Sequence, residues 1–162
     1  LPGRADRFGR GAWFFSVYLL CALFLGSFIF PLGHFLTPYK SAWTAARAAR
    51  EVVPAGELLY QYRTALYGID FYNGVRTPIV DDFGELEYGM NRLPPEEKAR
   101  FFLTSQSFSD LCREGKDLYA VTEHPERVAE LEELFPRVEK LWTNGHFYIL
   151  RVRCEDGLKK ET

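Results

Sequence analysis

Between Arg10 and Lys40 the chain carries no formally charged side chain, and that interval constrains the fold more than any other feature. Its densest part, Ala12 to Phe30, is 19 residues of almost unbroken apolar character. As a helix rising about 1.5 Å per residue it covers roughly 28 Å, close to the ~30 Å hydrocarbon core of a bilayer. No polar stripe recurs at the helical period, so no face of it can be left in water. Trp13 and Tyr18 lie toward one end and Tyr39 and Trp43 beyond the other, as aromatic residues flank a membrane span. Pro31 can end or kink the helix. A signal peptide with Arg4, Arg7 and Arg10 as its basic region fits less well. The run exceeds an apolar core of about 7–15 residues, and no small-residue cleavage site follows closely. A helix buried in a soluble domain would need the rest of the chain to wrap it on all sides.

Orientation is less constrained. Three arginines precede the apolar run, and three cations, Lys40, Arg47 and Arg50, follow it. The first group lies nearer the apolar edge, which favours a cytoplasmic N-terminus. Leu1 opens the chain and Met90 is its only methionine, so the sequence reads as a piece of a longer protein.

The remainder, 41–154, is long enough for one domain core. Ser41 is a candidate N-cap for an Ala-rich helix to about Val52, with Trp43, Ala46, Ala49 and Val53 on its apolar face and Pro54-Ala55-Gly56 as the stop. Strands are expected at Glu57–Tyr62, Thr77–Val80 and Leu118–Thr122. A short helix or turn over Thr64–Tyr72 closes at Asn73-Gly74. Asp82 and Glu85 fit a capping arrangement for a helix to about Asn91. Ser105 or Ser107 caps the next helix, which presents Phe108, Leu111 and Cys112. Pro125 opens a helix presenting Val128, Leu131 and Phe135. Thr143-Asn144-Gly145 between two alternating runs predicts a β-hairpin. The fold class is therefore α/β: an N-terminal transmembrane helix, then a small mixed α/β domain with a C-terminal antiparallel hairpin.

Functional groups are sparse. A net charge of −2 and a pI near 6.0 argue against a nucleic-acid partner. Asp81, Asp82 and Glu85 follow a predicted strand, where carboxylates can bind ligands, but helix capping explains them more simply. His34, His124 and His146 are far apart and match no metal-binding spacing. Tyr60, Tyr62, Tyr67, Phe71 and Tyr72 could stack on sugar rings, although core packing is the simpler account. Cys21 lies in the apolar run, and Cys112 and Cys154 can pair if the domain is extracytoplasmic.

The layout resembles a known group of enzymes. An apolar helix meets Lys40-Ser41 and an Ala-rich helix. There follow Leu58–Tyr62, Leu66–Tyr72, Arg76–Val80 and Gly84–Glu87, then the Phe108–Leu111 helix, the Leu118–Thr122 strand and Phe147–Leu150. From Trp13 to Arg153 this is similar to the C-terminal end of bacterial lipid-carrier-dependent glycosyltransferases of the GT-C type. That group includes lipid A aminoarabinose transferases and dolichyl-phosphate-mannose protein mannosyltransferases. The resemblance implies a multi-pass inner-membrane parent enzyme that transfers a sugar from a polyprenyl-phosphate carrier at the periplasmic face, with inversion. Its implied partners are the bilayer, the polyprenyl-phosphate-linked sugar and the other membrane helices of the same polypeptide. The group's catalytic carboxylates lie in a first extracytoplasmic loop outside this sequence, so no catalytic residue, metal or cofactor is assigned here. The implied layout is a cytoplasmic loop over 1–11, a transmembrane helix and interface over 12–36, a periplasmic α/β domain over 41–154 and a polar tail over 155–162. Lys40, Arg47 and Arg50 are candidate contacts for the lipid phosphate, because the segment from His34 to Arg50 sits nearest the headgroup level. A scaffold, lid or acceptor-docking role follows for this piece. The competing expectations are a single-pass anchored periplasmic binding module without activity and a soluble small-molecule enzyme.

Overall fold

The structure, a computed structural model, describes residues 5–154. The tail over 155–162, Arg4, and the side chains of Arg7, Arg10 and Tyr39 lie outside the described residues. The chain divides into two units, Leu1–Pro38 and Tyr39–Thr162.

The first unit is carried by helix α1 (Ala5–Lys40), which is long and apolar enough to cross a membrane. It extends past the densest apolar run at both ends and continues through Pro31. A proline removes a single i→i−4 hydrogen bond, and the turns on either side hold the helix together. The hydroxyls of Ser27 and Thr37 donate to the carbonyls of Leu23 and Gly33, so neither needs a partner outside the helix. Phe14, Phe24 and Phe30 project outward, with nothing in the described unit to cover them.

The second unit begins with helix α2 (Ala42–Val52), capped as expected by Ser41, whose Oγ accepts from the Trp43 N–H at 3.2 Å. Strand β1 (Leu59–Tyr62), helix α3 (Tyr67–Asn73) and strand β2 (Ile79–Val80) follow. A 3₁₀ turn over Gly84–Leu86 runs into α4 (Glu87–Met90), then α5 (Pro95–Phe101) and β3 (Phe102–Leu103). Helix α6 (Ser105–Arg113), strand β4 (Leu118–Glu123), helix α7 (Pro125–Leu134) and the hairpin β5 (Val138–Thr143) and β6 (Phe147–Val152) complete it. The strands form one sheet in the order β3-β2-β1-β4-β6-β5. The first four are parallel and β6 and β5 antiparallel, so the predicted partly parallel sheet with a closing hairpin is the fold. The chain adds β2 and β3 on one side of β1 and then crosses to the other side for β4, which makes the β1/β4 junction a topological switch point.

Both faces of the sheet are covered, as parallel strands require. One face packs Tyr60, Tyr62, Leu118, Ala120, Leu150 and Val152 against Phe108 of α6 and Val128 and Leu131 of α7. The other packs Leu59, Tyr119, Val121 and Ile149 against Ala45, Ala46, Ala48 and Ala49 of α2 and Ile69 of α3. The two faces alternate along β1 and β4 with the period of two that a strand imposes. Four alanines let α2 lie close on the sheet; Ala46, Ala49 and Val53 pack there as expected, with Ala45 and Ala48 in place of Trp43. Trp43 is 48% exposed. Gln61 is the one fully buried polar side chain on β1 and is satisfied on all sides. It donates to Thr77 Oγ1 at 2.5 Å and accepts from the Leu66 N–H, while Asp70 takes the Thr77 N–H at 3.0 Å.

Two local expectations are corrected. Asp82 caps no helix: the turn at Gly84–Leu86 has Phe83 at its N-cap and no side-chain cap bond. Thr104, not Ser105 or Ser107, caps α6 and accepts from the Ser107 N–H at 3.1 Å. The segment from Pro95 to Leu103, for which no element is expected, forms α5 and β3, and β3 completes the edge beside β2. The hairpin has the expected turn, with Gly145 at φ 87° and Asn144 Oδ1 accepting from the N–H groups of His146 and Phe147.

The end of β6 is fastened twice. Cys112 and Cys154 form a disulfide, Cα atoms 5.1 Å apart and 42 residues apart in sequence. A loop of that size stabilises by about 4 kcal/mol in the chain-entropy model. Beside it, Asp117 accepts from Arg151 Nε at 2.8 Å and from the Cys154 N–H at 3.1 Å. Burial pushes the Asp117 carboxyl up, but the Arg151 and Cys154 hydrogen bonds outweigh it and hold it below the ordinary value.

Two predictions follow from this packing. A Cβ on Gly68 of α3 would meet the Ala42 Cβ at 2.7 Å, so glycine is what lets α2 and α3 approach. Gly68→Ala gains about 1 kcal/mol of helix propensity but incurs about 1–3 kcal/mol of overpacking, so urea unfolding should show a net loss of up to about 2 kcal/mol. A more stable variant would mean the two helices separate freely. For Asp117, a depressed folded pKa means its stabilisation is complete above the unfolded value, about 4, and is lost as pH falls through the folded one. Asp117→Asn should therefore unfold at lower urea than wild type at pH 7, with the gap closing below about pH 4. A gap that persists unchanged at pH 2 would refute the linkage.

Candidate functional site

The three cations singled out in the sequence fall in adjoining elements of the second unit. Lys40 ends α1 and is exposed. Arg47 and Arg50 project from the side of α2 opposite its alanine stripe, one turn apart and in line with Trp43. Arg47 pairs with Glu51, Nε to Oε1 at 3.3 Å, and its guanidinium lies 5.9 Å from the Trp43 ring. Arg50 Nε donates to Asn73 Oδ1 at the end of α3, at 3.0 Å. That bond fixes the plane of the guanidinium and leaves its outer N–H groups available.

Arg50 and Asn73 also line a cleft of about 300 Å³. Its walls are the end of α2 (Val53), the connection to β1 (Pro54 to Leu58) and the connection from α3 to β2 (Val75 and Thr77). Glu57 is its one acidic lining residue. The arrangement combines one oriented guanidinium with an apolar floor, a combination suited to a phosphate that carries an apolar substituent. Sequence reading identified Arg50 but not the cleft, because Asn73 and Val75 reach it only through the packing of α3 on α2.

A second polar cluster lies at the carboxyl ends of the parallel strands. Arg63, Asp81 and His124 directly follow β1, β2 and β4, and each has a positive φ, of 48°, 58° and 66°. Non-glycine residues hold that conformation only where the surroundings over-determine it. Here ion pairs hold Arg63 and Asp81, and His124 donates its N–H to the His146 carbonyl at 3.3 Å. Arg63 donates to Glu130 of α7 at 2.8 Å and lies 3.8 Å from Asp81. Arg127 also donates to Glu130, at 2.8 Å. Asp81 accepts from the Ser105 N–H at 3.0 Å and from the Ser105 hydroxyl. Of the carboxylates considered from sequence, Asp81 is therefore the joint between β2 and α6. Beneath it lies the fully buried Tyr62, whose pKa burial raises while its Ser105 contact and the Arg63 charge pull it the other way, so it stays protonated. The cluster is internally paired and closed, which makes it a structural lock.

His34 lies on α1 in the first unit, and within the second unit His124 and His146, distant in sequence, stack edge to face at 5.8 Å beside the hairpin turn. Among the described residues no group of three or more His, Cys, Asp or Glu is placed to hold a metal. The aromatic run divides: Tyr60 and Tyr62 are core, and Tyr67, Phe71 and Tyr72 are exposed.

No family model matches the chain, and no curated protein matches it in sequence. Among solved structures it is similar to ArnT from Cupriavidus metallidurans, both bound to undecaprenyl phosphate and in the apo state. The TM-scores are 0.55 and 0.54, each at 17% sequence identity, and the match covers 67% of this chain. The chain corresponds to 19% of the length of those proteins. At that identity the likeness is one of fold.

The lock makes a prediction that separates the neighbouring carboxylates. Asp81→Ala removes the acceptor for the first N–H of α6 and should destabilise the domain by about 1–2 kcal/mol. Asp82→Ala should lie within about 0.5 kcal/mol of wild type, as for an unengaged surface residue. Equal losses in thermal or urea unfolding would contradict this assignment.

Proposed function

We propose that this chain is the C-terminal membrane helix and extracytoplasmic domain of a bacterial GT-C type glycosyltransferase, which takes its sugar from a polyprenyl-phosphate carrier. The observation that carries the reading is the fold shared with ArnT, whose crystal structure holds undecaprenyl phosphate. Two features of this chain support it. Helix α1 has the length and composition of a membrane span. The Cys112–Cys154 disulfide belongs to an oxidising compartment, which favours the periplasmic side for the α/β domain and the cytoplasmic side for the N-terminus.

In this reading the bond-making chemistry belongs to other parts of the parent enzyme, and this piece serves as scaffold, lid or docking surface. A polyprenyl-phosphate donor is anchored in the bilayer, so its phosphate sits at the headgroup level. Lys40 ends the membrane helix, and Arg47 and Arg50 stand on the first helix beyond it. They attract that phosphate, and Arg50, oriented by Asn73, meets it with a fixed donor pair. The acceptor is a lipid or a protein on the same side of the inner membrane.

In the full-length enzyme, Lys40→Gln and Arg50→Gln should each raise the apparent KM for the lipid donor by about fivefold, the equivalent of about 1 kcal/mol per surface cation, with kcat little changed. Wild-type kinetics in both would remove these residues from the site. Alkaline phosphatase fused after Arg153 should be active. An inactive phosphatase with an active cytoplasmic reporter at the same position would reverse the topology.

A further inference from the structure

Among the described residues of the α/β domain, eight large hydrophobic side chains are exposed, and six of them lie between Trp43 and Val75. Four of the six belong to one pair of helices, and the other two, Leu58 and Val75, line the adjoining cleft. Helix α3 packs on α2 with Gly68 against Ala42, and the sides left uncovered carry Trp43 on α2 and Tyr67, Phe71 and Tyr72 on α3. Phe71 is 81% exposed, although it stands in a helix whose inner residue, Ile69, is fully buried. Such a cluster exceeds the scattered apolar exposure normal for a soluble surface. Arg50 joins it, held by Asn73 at the end of α3. The face is only weakly basic, because Glu51 pairs with Arg47 and Glu57 lines the adjoining cleft. Its character is amphipathic aromatic with a single oriented guanidinium. That is the composition of a surface resting at the boundary between headgroups and acyl chains, where Trp and Tyr bury their rings and keep their polar edges wet.

Chain continuity points the same way. Only Ser41 separates α1 from α2, so where α1 leaves the bilayer α2 begins. We infer that the α2–α3 face docks on the phospholipid surface of the leaflet from which α1 emerges, with the aromatic side chains of α3 at the headgroup boundary and Arg50 on a lipid phosphate. This rests on the reading of α1 as a membrane span. It adds a contact with bulk phospholipid to the donor contact already proposed. The docked face would hold the domain down on the membrane and keep the Arg50 cleft open at headgroup depth.

The test uses the whole chain in nanodiscs of phosphatidylethanolamine and phosphatidylglycerol. Nitroxide labels are placed one at a time by Phe71→Cys, Leu134→Cys and Phe24→Cys in a Cys21→Ser background, leaving the Cys112–Cys154 disulfide intact. Phe71 and Leu134 are both exposed, so neither label disturbs the core. Oxygen and nickel-chelate accessibilities are read by electron paramagnetic resonance. The label at 71 should favour oxygen over nickel, as at the acyl boundary, and the label at 134 should favour nickel. Arg50→Gln should lower the docked-to-free ratio at position 71 by about fivefold at low salt. A label at 71 as water-accessible as the one at 134, or one immobilised but shielded from both reagents by a second protein surface, overturns the docking. A label at 24 that is also water-accessible overturns the span itself, whereas one deep in the bilayer leaves the span standing when the docking fails. An unchanged ratio in Arg50→Gln overturns the phosphate contact.

Discussion

The parallel pairing of β1 with β4 is the constraint from which the other elements of the domain take their places. Both strands are covered on both faces, so nearly every side chain on them must be apolar, and β1 and β4 are almost continuously buried. The single amide in β1, Gln61, is tolerated because it closes a ring of hydrogen bonds with Thr77, Asp70 and the Leu66 backbone. That ring ties the loop after β1 and the approach to β2 to the same point. Parallel neighbours need long crossovers, and those crossovers supply the helices that cover the sheet. On one side the cover is bulky, from α6 and α7. On the other it is α2, whose alanines allow a backbone to lie close on Tyr119 and Val121.

The domain consequently has two unlike ends. At the carboxyl ends of the strands, where open α/β sheets commonly bind ligands, two of the three positive-φ residues, Arg63 and Asp81, are locked by Glu130 and the Asp81–Ser105 contacts, and the third, His124, donates its N–H to the His146 carbonyl. Every charge there has an opposite neighbour, and the arrangement secures the turns. The open chemistry lies on the α2–α3 side, where aromatic rings are uncovered and Arg50 faces a cleft. In the proposed reading the domain engages at this face rather than at its switch point, which suits attachment to a surface better than small-molecule turnover.

Local signals in the sequence account for the elements whose determinants are short in range. Ser41 before an Ala-rich stretch, Pro125 at a helix start and Asn144-Gly145 between alternating runs each place a cap or turn through the residues themselves. Where the determinants come from elsewhere in the chain, local reasoning misleads. Asp82 looks like a cap and is not one, because Asp81 instead reaches 24 residues ahead to α6. β3 is two residues long and carries no pattern of its own, and only its bonds to β2 make it a strand. Trp43 sits at an apolar repeat position yet faces outward, because the sheet leaves room there only for alanine.

By itself the sequence determined that a helix with a long charge-free run precedes a mixed α/β domain, since apolar runs, hydrophobic periodicity and turn chemistry are written in neighbouring residues. It also placed Lys40 at the end of that helix and Arg47 and Arg50 just beyond it. The tertiary structure alone decided three things. It brought Cys112 and Cys154 within bonding distance, turned Arg50 toward Asn73, and divided five aromatic residues into two buried and three exposed. The physical reason is the same each time: burial and partnership depend on which side of the sheet a segment is laid against, and crossovers many residues long settle that.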